Sequence, residues 1–405
     1  MKKRDKRYLL DAELIASAAA LVVAIFGAYV FYSCERSPQA PIVFSRALFV
    51  SQPAPLEGPA MPARKARPAK PKPSGYAAIS GMSPAVFEYA HGTVTAAGQF
   101  WIGMRDHDGN PFQTNELIVF TDPSDLNKYK TMVMPAKGSL ESAIYDSRND
   151  KVYVELADNR ALDIYAVDPH TYAVSTIIAT TSLDSGPKPA IVTDGTYIYG
   201  ITNTDPSVVF KVRISDGQLT TNADSHILEG HSAAIGIYAS STEIYFGGGI
   251  SHSFEKVSAS TLSTLGGAVI HSCSMTDDMP YVAAGDNGGY VYIGCEAEPY
   301  GERISTKDMN VTQFSLPGES YGLFVYGHDL YNAARDGNID VFPGSDIARL
   351  ERYPVIGGPD SLRPGGVEPQ LNELFYSPAT ASLYFTAWLG IPGLFRVATS
   401  TAQLL

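Results

Sequence analysis

Asp194-Gly195-Thr196-Tyr197-Ile198-Tyr199-Gly200 joins a tight turn to a short strand of alternating aromatic and β-branched residues, and the chain repeats this phrase with drift. Its nearest copy is Asn287-Gly288-Gly289-Tyr290-Val291-Tyr292-Ile293-Gly294. Looser copies centre on Trp101, Tyr153, Tyr245, Tyr331 and Tyr384. The aromatic anchors Trp101, Tyr153, Tyr199, Tyr245, Tyr292, Tyr331 and Tyr384 are separated by 52, 46, 46, 47, 39 and 53 residues. A unit of that length built from short strands cannot bury its own apolar faces. It must stack against copies of itself, which makes the repeat the constraint that any fold of this chain has to satisfy.

Within a unit the pattern predicts four strands. In residues 143–179, Ala143-Ile144-Tyr145 reads as the first strand and Val152 to Leu156 as the second. Leu162 to Val167 and Val174 to Ile178 complete the unit, with Asn, Asp and Pro punctuating the turns. The further units are expected at about 84–134, 190–227, 234–270, 281–316, 321–356 and 370–405, and nothing after residue 76 has sustained helical periodicity. Seven four-stranded units in one chain predict an all-β, seven-bladed β-propeller over 76–405. A closed ring removes exposed strand edges. The last unit has a short tail, so Ala85 to His91 is expected to supply its outer strand.

Val167-Asp168-Pro169-His170-Thr171, followed by a Val/Ile-rich strand, resembles the YVTN-type and quinoprotein-like seven-bladed propellers. The resemblance is one of repeats over roughly 80–405 and implies the ring fold. It implies no cofactor, because the chain lacks recurring Trp docking motifs: its two tryptophans are Trp101 and Trp388. No Trp-Asp pair of the WD type occurs.

Three segments precede the repeats. Residues 1–13 are a basic N-terminus containing Lys2, Lys3, Arg4, Lys6 and Arg7. Residues 14–33 hold an uncharged apolar run, Leu14 to Tyr32, long enough as a helix to cross the ~30 Å hydrocarbon core of a bilayer. The flanking positive charge predicts a single transmembrane signal anchor with the N-terminus in the cytoplasm and the propeller periplasmic or extracellular. The alternative is a lipoprotein signal ending at Cys34, from which Phe31 and Tyr32 depart by their bulk. Residues 34–75 carry nine prolines, which rule out regular helix or sheet and predict a disordered linker.

The formal net charge of −12 is uneven. From residue 76 onward there are 18 basic and 37 acidic residues, so the repeat region would repel a phosphate backbone and nucleic acid is excluded as its partner. The loops joining second to third strands, and one unit to the next, hold Asp158, Asp205, Glu229, His231, Asp277, Asp278, Glu319 and Asp336. They also hold Asp184, His252, Glu296, Glu298 and Asp360. These residues predict an acidic mouth on one face of the ring, suited to a cation or a basic partner; the plain alternative is a set of solvated loops. Asp106, Asp108 and Asn110 supply oxygens at the first, third and fifth positions of an EF-hand-like calcium loop. Pro111 and Leu117 stand where that loop wants Gly and a bidentate Glu. His226, His231, His252 and His271 are dispersed loop histidines without zinc-site spacing.

Cys273 enters the fifth unit and Cys295 ends its second strand, so both belong to one face of one unit. Outside the cytoplasm they are expected to form a disulfide; two reduced buried thiols are the alternative. Asn310-Val311-Thr312 is a glycosylation acceptor in a eukaryotic host. No nucleophile elbow or phosphate-binding loop is present. The expected function is a membrane-tethered binding or scaffolding module for a protein, peptide or glycan. The alternative is a calcium-dependent, lactonase-like propeller hydrolase with its site at the acidic mouth.

Overall fold

A computed structural model describes residues 77–398 apart from 83–89, 105–114, 137, 158–160, 184–189, 203–207, 223–235, 240–241, 249–252, 271–279, 285–288, 296–298, 319, 327, 335, 357–370, 378–379 and 388–392. The chain divides into two units, Met1–Ala66 and Arg67–Leu405, and every described residue belongs to the second. The expected anchor and the whole of the expected linker lie outside the described residues. No helix among the described residues is long and apolar enough to cross a membrane.

Strands and the turns between them make up the described residues, as alternation and Gly/Asn/Asp/Pro punctuation require. Strand β1 (Ala77–Met82) precedes the first repeat, which comprises β2 (Ala90–Ala96), β3 (Gln99–Met104), β4 (Glu116–Phe120) and β5 (Tyr129–Val133). The second comprises β6 (Ser139–Asp146), β7 (Lys151–Ala157), β8 (Leu162–Val167) and β9 (Val174–Thr180). The third holds β10 (Ala190–Thr193), β11 (Tyr197–Ile201), β12 (Val209–Arg213) and β13 (Leu219–Thr221). The fourth holds β14 (Gly236–Ala239), β15 (Glu243–Gly248), β16 (Ser253–Ser258) and β17 (Thr264–Val269). The fifth is β18 (Pro280–Ala284), β19 (Tyr290–Cys295), β20 (Tyr300–Ser305) and β21 (Val311–Ser315). Then come β22 (Ser320–Tyr326), β23 (Asp329–Ala334), β24 (Asn338–Phe342) and β25 (Glu351–Ile356). The chain ends on β26 (Leu371–Ser377), β27 (Ser382–Ala387) and β28 (Gly393–Ala398). One short 3-10 turn, Pro343–Ser345, is the helical element among the described residues.

Five repeats are separate four-stranded antiparallel meanders, and the last two are joined in one eight-stranded sheet. The join is β1. It pairs antiparallel with β28 through Ile79↔Val397, Gly81↔Arg396 and Met82↔Phe395. It also pairs parallel with β25 through Ala77↔Val355 and Ala78↔Ile356. The strand that completes the last repeat is therefore Ala77–Met82, and not Ala85 to His91 as the sequence suggested. The reason is local: Ala90 and His91 already belong to β2, paired with Met104 and Gly103. Residues 85–89 lie outside the described residues.

Each aromatic anchor sits on the second strand of its repeat and is almost fully buried, from 0% exposure at Trp101 and Tyr384 to 2% at Tyr199, Tyr245, Tyr292 and Tyr331. The apolar clusters lie between successive sheets. Tyr199 and Ile201 pack with Ile244, Phe246 and Val257 of the next sheet, and Tyr292 and Phe314 pack with Leu330 and Phe342. Phe100, Ile102, Ile118 and Phe120 of the first repeat pack with Tyr384 and Leu394 of the last, so the stacking returns to its start. Phe100 and Tyr384 meet edge to face with ring centroids 4.0 Å apart.

The glycine after the third anchor is explained by packing. A Cβ on Gly200 would collide with the ring of Phe210, its partner across the β11–β12 pair. Gly200→Ala is expected to destabilise the fold by about 1–3 kcal/mol through overpacking, read as a lower midpoint in urea unfolding with an unchanged slope. An unchanged midpoint would mean that the Phe210 ring has room to move.

Candidate binding faces

Every repeat turns back on itself at two edges, and the two edges are built differently. At one edge lie the turns from first to second strand and from third to fourth. They are short, and acidic side chains fold back to hold their backbone. Asp146 accepts from the Arg148 N–H at 2.9 Å and from Asn149 Nδ2 at 2.6 Å. Asp168 accepts from the His170 and Thr171 N–H groups at 3.0 and 2.8 Å and from Lys151 Nζ at 2.8 Å. Asp194 accepts from the Thr196 and Tyr197 N–H groups and the Tyr199 hydroxyl, each at 2.8 Å. These donors favour the carboxylate: the Lys151 ammonium, then the turn N–H groups, hold Asp168 well below the usual carboxylate range. Asp122 is held down to about 2, first by the Ser124 hydroxyl and then by Lys128. Asn310, in the acceptor sequence, is exposed in the turn between β20 and β21.

The same edge carries links between successive repeats that the sequence reading missed. Lys211 on β12 donates from Nζ to the carbonyls of Ala259 and Ser260 in the next repeat, at 3.2 and 2.5 Å. Lys256 on β16 does the same to Thr306, at 3.1 Å. Arg396 on β28 donates from Nη1 to Ser124 at 2.7 Å, and the Tyr384 hydroxyl donates to Pro123 at 2.8 Å. Arg148 and Asn149 reach the carbonyls of Asp194 and Gly195 in the following turn, at 2.5 and 2.8 Å. The cations share one register: Lys211, Lys256 and Arg396 stand directly opposite the anchors Tyr199, Tyr245 and Tyr384. A basic residue opposite an anchor was the available signal, legible only once strand pairing is known.

From the other edge leave the connections expected to form an acidic mouth. Asp158, Asp205, Glu229, His231, Asp277, Asp278 and Glu319 lie outside the described residues, as do Asp184, His252, Glu296, Glu298, Asp360, the calcium candidates Asp106, Asp108 and Asn110, and the four loop histidines. Cys273 is outside too, while Cys295 ends β19 with its backbone paired to Pro280. The described residues contain no group of three or more His, Cys, Asp or Glu able to hold a metal.

Asp336 is described, and it belongs to an internal network. Its Oδ1 accepts from Arg352 Nη2 at 2.7 Å and from Asn338 Nδ2 at 2.8 Å. The Arg352 Nε donates to Asp340 Oδ1 at 2.6 Å, Asn332 Nδ2 donates to Asp340 Oδ2 at 3.3 Å, and the Ser320 hydroxyl donates to Asn332 Oδ1 at 2.6 Å. Ser320, Asn332, Asp340 and Arg352 are buried, and the relay crosses the whole repeat from β22 to β25. Burial pushes the Asp340 carboxyl up to about 6 against the pull of the guanidinium. On β16, burial likewise pushes Glu255 up to about 8, opposed by the Thr264 hydroxyl.

Two outcomes follow from this chemistry. Arg352→Met strands the buried Asp340 carboxylate and takes the ion-pair partner from the partly exposed Asp336, and is expected to cost about 3–5 kcal/mol, whereas the Arg352→Met/Asp340→Asn pair recovers a large part of the loss; equal urea midpoints for the two variants would refute the coupling. Glu255 binds its proton more tightly folded than unfolded, so its contribution is present below pH ~4.5 and lost as pH rises through about 8. Melting temperature is therefore expected to fall between pH 6.5 and 9, and Glu255→Gln to flatten that fall. An identical slope in wild type and variant would contradict it.

No family model and no curated protein matches this sequence. Solved structures resemble its fold. The chain is similar to the Neurospora crassa Pan2 WD40 domain, with a TM-score of 0.57 and 10% identity over 78% of this chain and 90% of that one. It is similar to the WD40 β-propeller domain of Doa1, with a TM-score of 0.55 and 8% identity, covering 81% and 98% of the two chains. A chain of the mitotic checkpoint complex gives a TM-score of 0.57 and 10% identity, covering 78% and 94%. At these identities the likeness is one of fold: the repeats form an all-β, propeller-like structure.

Proposed function

We propose that this chain is a seven-bladed propeller, tethered to a membrane outside the cytoplasm, that binds or scaffolds a protein partner. Seven blades follow from reading the eight-stranded sheet as two four-stranded blades bridged by β1, with β26, β27, β28 and β1 as the last. The YVTN-type and quinoprotein-like kinship, and peptide or glycan ligands, belong to the same reading. The Leu14–Tyr32 run supports the tether.

The observation that carries the binding reading is the contrast between the two edges. At one, turn side chains hold their own backbone or the neighbouring repeat. From the other leave the longest connections, including 105–115, 222–235 and 357–370. A rigid scaffold that carries variable loops on one side is how binding modules separate stability from specificity. A calcium ion at Asp106, Asp108 and Asn110, with the hydrolase reading it would bring, is a separate proposal. Stoichiometric metal that stabilises purified protein would favour that hydrolase.

The test is crosslinking and capture from envelope extracts of the native host with the full chain. Two variants are run beside it, one with 223–235 and one with 357–370 replaced by Gly/Ser of equal length. A defined partner is expected that is lost with at least one replacement while melting temperature is retained. Partners unaffected by both replacements would defeat the assignment of binding to this edge.

A further inference from the structure

The turns from third to fourth strand in the second to fifth repeats share one build. In each, the N–H of the first turn residue donates to the carbonyl of the sixth, at 3.0, 3.0, 2.9 and 3.0 Å for Asp168–Ala173, Arg213–Gln218, Ser258–Ser263 and Ser305–Asn310. In each, the fifth residue is left-handed, with φ 62° at Tyr172, 69° at Gly217, 61° at Leu262 and 59° at Met309. The sixth position carries Ala173, Gln218, Ser263 or Asn310 on the same backbone, so the turn makes no demand on that side chain. Turn geometry explains Asp308, whose Oδ1 accepts the Asn310 N–H at 3.3 Å just as Asp216 Oδ1 accepts the Gln218 N–H at 3.1 Å. It does not explain an asparagine at 310.

Asn310 is followed two positions later by Thr312, and no other Asn of the chain has Ser or Thr at that distance. A hydroxyl residue two positions after the Asn, with a residue other than Pro between, is the acceptor pattern for an N-linked glycan. Both Asn310 and Thr312 are exposed. Thr312 stands on β21, the outer strand of its four-stranded sheet, opposite Arg303 on β20. An enzyme can therefore reach the amide and the hydroxyl without opening the fold. Asp308 is exposed beside them and is held below the usual carboxylate range, first by the Ser305 hydroxyl and then by the Asn310 N–H, so it is ionised at neutral pH.

We propose that Asn310 carries an N-linked glycan, with Thr312 and Asp308 read by the transferase that installs it; this rests on the placement of the repeats outside the cytoplasm given above. The co-reactant is a glycan carried on a lipid diphosphate. A bond forms between Asn310 Nδ2 and the anomeric carbon of the glycan. The bond from that carbon to the diphosphate oxygen breaks, its electron pair leaves on the lipid diphosphate, and one amide proton passes to a base of the transferase. A site that holds a diphosphate is cationic, so the ionised Asp308 steers the acceptor segment toward it. The turn lies on the edge opposite the long connections, so the glycan leaves those connections open to a partner.

The full chain is purified from its native host and cut with trypsin, and the peptide 308–335 is weighed. The same cells, with the plasma membrane sealed, are labelled with an amine reagent that cannot cross it, which reports whether the lysines of the repeats lie outside. A glycan mass is expected on this peptide in most molecules, absent in Asn310→Gln and reduced about tenfold in Thr312→Val, which keeps the side-chain shape. Asp308→Asn keeps the oxygen that accepts the Asn310 N–H and removes the charge, so it is expected to lower occupancy about threefold at an unchanged melting temperature. An unmodified peptide from repeats that the reagent labels would overturn the site and leave their placement standing. An unmodified peptide from repeats that the reagent does not reach would overturn both. Modification that persists in Thr312→Val would overturn the acceptor assignment, and full occupancy in Asp308→Asn would overturn the part given to that carboxylate.

Discussion

The structure depends on one aromatic side chain per repeat, wedged between its own sheet and the next. A four-stranded meander has two faces, and in this chain both are apolar along the second and third strands: every described residue of β8 is buried, for example. Neither face can be left to water at roughly 25 cal/mol per Å2 of exposed apolar surface. Each sheet therefore needs a neighbour on both sides, and a row of such sheets has two unsatisfied ends. Packing the first repeat against the last through Phe100 and Tyr384 removes both ends at once.

Polar interactions then fix the angle at which sheets meet. Apolar packing tolerates sliding, whereas a hydrogen bond to a carbonyl does not. Lys211, Lys256 and Arg396 each span a junction and end on backbone oxygens, so they register one repeat against the next without depending on the side chains of the turn they grip. The buried Ser320–Asn332–Asp340–Arg352 relay works within a repeat, tying its first strand to its fourth. Removing either kind of contact leaves a desolvated charge or an open carbonyl, which is why these contacts specify geometry more than they add stability. Strand β1 uses both of its backbone edges in the same way, one on β28 and one on β25.

The division of labour between edges follows. Turn acids such as Asp168 and Asp194 are committed to their own N–H groups, so acidity at that edge is structural. Acidic residues in the opposite connections have no such local duty written in their sequence. Asp336 is the instructive exception, because a residue read as part of an open mouth is the outer member of a buried ion-pair network. An acidic residue in a loop looks the same in sequence whether it faces solvent or an arginine sixteen positions later on another strand.

The all-β repeat character, the strand positions within a few residues, the anchoring aromatics and the scarcity of helix were legible from the sequence, because alternation and turn chemistry are local. Period two and a Gly or Asp at a turn act over fewer than ten residues. The position of the closing strand, the gripping cations and the relay behind Asp336 were not legible. Each depends on which residues face one another across sheets, and Arg396 and Ser124 are separated by 272 positions. Local pattern determined what the pieces are. Only the closure of the ring decided which polar side chains would meet, because a contact between distant segments exists only after the apolar faces have brought them together.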